Sequence, residues 1–183
     1  MPYHHQAQGS TPKITLDQAP LSNTPTPEAP FTYAAIDPGL SGGVAVMSLQ
    51  GKQHSVSLHK MPEDQAELQN ILPFGCTVVI EKVPPFVGRL IPSSASFKLG
   101  KSAGWVEGFC AGRQHPVILV TPQKWQAGLG IPKGSKTQSQ WKSALKAEAS
   151  RRYPSAEGLT LATADALLIA DWFKQHLNHL DTL

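Results

Sequence analysis

The sequence predicts an α/β fold: a mixed five-stranded sheet, three antiparallel strands and then parallel ones, flanked by helices. Two observations carry this. Three short strand-like runs follow one another near the start of the ordered part, the last two joined by the tight turn Gln50-Gly51-Lys52. After them, apolar β-branched runs alternate with helical stretches, the pattern of βαβ units.

Phe31–Asp37 reads as the first strand, Gly43–Leu49 as the second, and Gln53–His59 as the third, with Val56 and Leu58 alternating against polar residues. The three-residue turn makes the second and third a hairpin. Pro62 and Glu63 open a short helix to about Leu72. Thr77–Glu81 is continuously apolar up to its last residue, as a buried parallel strand should be. A helix over about 94–112, the strand Val117–Thr121, a basic loop, and helices over about 137–152 and 163–178 complete the order. The helix over 94–112 carries Gly100, Gly104, Gly108 and Gly112 on one stripe. Each costs about 1 kcal/mol of helix propensity relative to Ala, so a close neighbour is expected there: the sheet, a second subunit or DNA.

Residues 1–30, rich in Pro, Gln, Ser, Thr and Ala, are expected to be a disordered tail, with one domain over 31–183. His4 and His5 within it read as incidental. No apolar run approaches the roughly 20 residues needed to span a bilayer, and no signal-peptide pattern opens the chain. Cys76 and Cys110, without CxxC spacing, read as reduced thiols of an intracellular protein.

The chain has 183 residues and a net charge of +3, which hides an asymmetry. Lys82 to Arg152 holds twelve Lys or Arg against Glu107 and Glu148, a balance of +10; the remainder holds four basic and eleven acidic residues, −7. Basic charge gathered in one stretch suits a polyanion.

Three acids stand where ionised carboxylates are costly unless paired or metal-bound. Asp37 ends the first strand, Glu81 ends the fourth, and Asp165 opens the last helix within an apolar run. If the first and fourth strands are neighbours, Asp37 and Glu81 converge at one sheet edge, and a helix N-terminus over that edge adds Asp165. Hard oxygen ligands suit Mg²⁺ or Mn²⁺, and such a cluster with two ions about 4 Å apart is an arrangement for phosphodiester cleavage. Singly each has an ordinary explanation: Asp37-Pro38-Gly39 as a turn, Asp165 as a charge favoured by the helix dipole. Together, in this order, they point to a site.

Five segments in order resemble the RuvC-type Holliday-junction resolvases and their phage-encoded and plant-chloroplast relatives, within the RNase H-like superfamily. They are Ala35–Gly43 (AIDPGLSGG), Ile80–Val83 (IEKV), Ser93–Gly104 (SSASFKLGKSAG), Thr121–Trp125 with Lys133–Lys136, and Ala164–Leu167 with Ile169-Ala170. The resemblance spans about residues 33–175. It implies a Mg²⁺-dependent endonuclease (Mn²⁺ as substitute) that nicks four-way junctions symmetrically as a homodimer. It also implies a cytoplasmic or nucleoid-associated setting in a bacterium or phage-infected host, an organelle remaining open. Asp37, Glu81 and Asp165 would be the metal-binding acids, and Lys136, or nearby Lys133, would contact the scissile phosphate. Lys82, Lys98, Lys101, Lys133, Lys136 and Lys142 are the candidate DNA contacts, and Phe86 the candidate wedge between bases at the crossover. The resemblance also implies a fourth Asp, Glu or His three to five residues before the closing acid. Residues 158–164 read GLTLATA, so Leu161 and Ala162 are candidate positions of a lost ligand, which leaves open a junction-binding protein that cuts weakly or not at all. An actin-like kinase, suggested by Asp37-x-Gly39 and Gly42-Gly43, would need a second lobe and a second phosphate loop.

Overall fold

The computed structural model describes residues 29–84, 92–132 and 134–180. The segment expected as a tail lies almost wholly outside the described residues, as do Phe86 and Lys133. Five strands form one sheet: β1 (Phe31–Asp37), β2 (Gly43–Gln50), β3 (Gln53–Lys60), β4 (Thr77–Glu81) and β5 (Val117–Val120), in spatial order β3-β2-β1-β4-β5. β2 pairs antiparallel with both β1 and β3, whereas β1–β4 and β4–β5 are parallel. The expected mixed sheet is therefore present, and β1 stands where the antiparallel and parallel halves meet.

The helices are α1 (Gln65–Ile71), α2 (Ser93–Gly112), α3 (Pro122–Gln126), α4 (Gln138–Arg152) and α5 (Ala164–Leu180), with a 3-10 turn at Ala127–Leu129 after α3. The stretch after β5, which reads as a loop in the sequence, begins instead with α3. Thr121 caps it by accepting from the Lys124 N–H, and Pro122 supplies the first-turn proline that a helix start favours. Five residues are too few to display a helical period, so the sequence pattern does not reveal this helix. α4 opens on a capping box between Thr137 and Gln140.

Successive strand residues face opposite sides, and the two cores divide accordingly. Tyr33, Ala35 and Val79 pack with the buried residues of α3, α4 and α5; Ala34, Ile36, Val78 and Ile80 pack with those of α1 and α2. α5 is buried along its first turns, from Ala164 to Ala170, and packs across β1, β2 and β4. The glycine stripe of α2 does not face the sheet: a Cβ placed at Gly100, Gly104, Gly108 or Gly112 meets nothing within 4 Å among the described residues. Of the neighbours considered for that stripe, the sheet is thereby removed. Cys76 and Cys110 are free and buried. No helix among the described residues is long and apolar enough to cross a membrane.

Candidate active site

The strand parity that builds the core also places the acids. Asp37 continues the series Tyr33, Ala35, and Glu81 follows Val79, so both side chains fall on the face covered by α3, α4 and α5. The parallel register pairs Ile36 with Ile80, which sets Asp37 and Glu81 side by side at the C-terminal ends of adjacent strands. In open α/β sheets this end, where strand order changes direction, is where ligands bind.

Two glycines pack the turn after β1, and the second of them brings the third acid. Gly42 lies so close to the end of β1 that a Cβ there would stand 1.9 Å from the Asp37 carbonyl oxygen. A Cβ on Gly43 would stand 2.9 Å from the Ala162 carbonyl oxygen and 3.1 Å from Thr163 Cα. The turn before α5 therefore rests directly on the first residue of β2, and α5 begins over the strand ends with Asp165 in its first turn. Thr163 locks this turn by donating to the Gly158 carbonyl at 3.0 Å, while accepting from the Thr160 N–H at 2.9 Å.

Two of the three carboxylates share one cation, and the third has a buried indole donor. The Lys142 ammonium, from the second turn of α4, donates to Asp165 Oδ2 and stands 3.8 Å from Asp37 Oδ2. Trp125, wholly buried in α3, donates its indole N–H to Glu81 Oε2 at 2.7 Å. Asp165 Oδ1 is buried without a hydrogen-bond partner among the described residues. Burial, then the charges of Glu81 and Asp165, push Asp37 up to about 8 despite Lys142. Burial also raises Glu81, against the Trp125 hydrogen bond, and raises Asp165, against Lys142. The site carries more negative charge than its own donors neutralise.

That excess bears on whether a divalent ion fits. The donors are hard oxygens, mutual repulsion opposes their ionisation, and one buried oxygen is unsatisfied; each is a condition that a Mg²⁺ or Mn²⁺ ion would relieve. Among the described residues, and with Lys142 among them, the acids are not already gathered as a three-ligand group. The donor chemistry fits the ion, with the Lys142 ammonium beside two of the three acids.

Of the lysines expected on DNA, Lys142 differs most: it is paired with the acids rather than presented to solvent. Lys136 is not brought to the carboxylates; its Nζ donates to the Pro132 carbonyl at 2.5 Å on the surface. Lys82, Lys98 and Lys101 are exposed. Leu161 is half exposed, and Ala162 lies in the turn before α5, closed by the Ala164 N–H on the Thr160 carbonyl at 3.1 Å. Sequence reasoning misses Trp125 and the pairing of Lys142. A tryptophan just after a helix start is visible in the sequence, but its acceptor is not.

No family model matches the chain, and no curated protein shows significant sequence similarity to it. Solved structures do match. Thermus thermophilus RuvC is similar at a TM-score of 0.55 and 19% identity, over 81% of this chain and 96% of that one. The fold is that of RuvC. The T. thermophilus RuvC in complex with a Holliday-junction substrate matches at a TM-score of 0.52 and 18% identity, with the same coverage. The RuvC-type fold here directs Asp37, Glu81 and Asp165 toward one end of the sheet, with Lys142 between Asp37 and Asp165.

Proposed function

We propose that the protein is a structure-selective DNA endonuclease that resolves four-way junctions by metal-dependent, symmetric nicking as a homodimer. The observation that carries this reading is the meeting of Asp37, Glu81 and Asp165 at the C-terminal ends of β1 and β4, in a chain with the fold of RuvC. The matching RuvC that was solved on a Holliday junction supports branched DNA as the substrate. Exposed Lys82, Lys98, Lys101 and Lys136, within the basic stretch, supply the phosphate-binding charge. The outward glycine stripe of α2 leaves a small-residue face for close approach of a second copy.

Asp37, Glu81 and Asp165 would hold the ion. Bound there, it would polarise the phosphate and acidify an attacking water. The protein's own residues set the frame for that chemistry. Trp125 fixes one Glu81 oxygen, Gly43 seats the turn that aims Asp165, and Lys142 offsets part of the charge repelling the DNA backbone.

One observation favours a second reading. Lys142 sits on the acids, and residues 158–164 contain no carboxylate or imidazole, as in a junction-binding protein that cuts weakly or not at all. Incubation with synthetic four-way junction, duplex and single-stranded DNA in Mg²⁺, Mn²⁺ and EDTA separates the two. Paired nicks in the junction alone, lost in EDTA, establish the nuclease. Tight junction binding without nicks in either metal establishes the binding protein.

A further inference from the structure

We propose that the Lys142 ammonium is a built-in cation of the carboxylate site, so that the site takes one divalent ion per chain rather than two. The inference rests on the metal-dependent reading above and adds the number of ions and the residue that sets it.

The geometry is specific. α4 starts at a capping box, so its first turns are fixed, and Lys142 projects from them into the site rather than along the surface. Its ammonium engages Asp165 Oδ2 and lies 3.8 Å from Asp37 Oδ2, in the space between acids contributed by β1 and α5. The side chain is one-third exposed, whereas its two partners are 13% and 7% exposed, so the charge is delivered inward. Asp165 is thereby divided. One oxygen belongs to Lys142, and the other, Oδ1, is buried with no partner among the described residues. Glu81 is divided likewise, with Oε2 held by Trp125.

The charge count agrees. With all three carboxylates ionised, as ligands of an ion would be, three carboxylates and one ammonium leave −2, which one divalent ion neutralises. A pair of ions, as in two-metal phosphodiester sites, would bring +4 to that −2, beside a lysine a few ångströms away. Residues 158–164, which abut the site at Gly43, contain neither carboxylate nor imidazole to redress it. Like charges crowded in a partly buried place repel strongly, so the lysine and a second ion exclude each other.

The test is a Mn²⁺ titration of the full chain, free Mn²⁺ being read by electron paramagnetic resonance, for the wild type, Lys142→Gln and Lys142→Arg. The wild type is expected to bind one ion. Lys142→Gln, which removes the resident charge, is expected to bind its first ion at least tenfold more tightly, and Lys142→Arg to behave as the wild type. Two ions bound by the wild type would overturn the inference while leaving metal dependence standing. So would Lys142→Gln with no gain in affinity. Absence of Mn²⁺ binding in all three proteins would overturn the metal-dependent reading as well. Should Lys142→Gln fail to fold, the wild-type ion count decides.

Discussion

Asp165 and Asp171 lie on the same helix and are equally buried, at 5% and 4% exposure, yet their surroundings settle their charges in opposite ways. Burial pushes Asp171 up as it does Asp165. For Asp171, hydrogen bonds from Tyr153 and Arg152, with the charges of Lys174 and Arg152, more than reverse the effect and hold it below the usual carboxylate range. Tyr153 donates to one of its oxygens at 2.5 Å; Arg152 and Gln175 donate to the other at 2.6 and 2.7 Å. Among the described residues, Asp165 has Lys142, shared with Asp37, and an oxygen with no partner. One acid is saturated and holds α4 to α5; the other is left wanting a cation. A buried carboxylate is thus read by its unspent acceptors, not by its burial.

The largest expected effect tests the unsatisfied region. Asp37→Asn should lower the junction-cleavage rate by at least about a thousandfold, roughly 4 kcal/mol of barrier, with binding unchanged or tighter because repulsion of phosphate falls. Gel assays of nicking and of binding measure both, and undiminished nicking would take Asp37 out of the site.

Next comes stability. Asp171→Asn should cost about 3–5 kcal/mol, as removal of one partner from a buried pair does, because Arg152 loses its buried acceptor. Asp165→Asn should cost less than about 1 kcal/mol in metal-free protein, since it removes a strained charge together with its lysine partner's hold. Urea denaturation of both variants compares them directly, and equal losses would erase the contrast.

The two regions also differ in pH dependence. The raised value of Asp37 means that the folded protein holds a proton the unfolded chain has released, between 3.8 and about 8. Metal-free stability should therefore fall as pH rises through that window, and Asp37→Asn should flatten the fall. Asp171, held low, contributes stability above its ordinary value of 3.8 that is lost on acidification below it. Denaturation midpoints measured from pH 3 to pH 9 in EDTA would show both limbs.

The smallest effect concerns the surface. Neutralising Lys98, Lys101 and Lys136 together should flatten the log–log salt dependence of junction affinity, by about 0.9 for each DNA phosphate that these lysines neutralise. An unchanged slope would make them solvated charges only.

The strands are legible in the sequence because their residues meet one demand each: β4 reads Thr-Val-Val-Ile because both its faces are covered. Asp37 and Glu81 are legible for the same reason, since parity and a strand end locate a side chain without further knowledge. Lys142 is not. Its pairing depends on how α4 packs on α5, and a lysine in a basic stretch gives no local sign that it turns inward. α3 is hidden by its shortness.

The seating of the turn before α5 on Gly43 carries a consequence for the order in which the molecule is built. That turn can seat only on a β1–β2 hairpin already formed, and α5 comes last in the domain. The first two acids are brought together by the pairing of β1 with β4; the third depends on a contact between β2 and the turn before α5, distant in sequence, and contacts of high sequence separation are slow to close. Until that contact forms, Asp37 and Glu81 can stand side by side without Asp165.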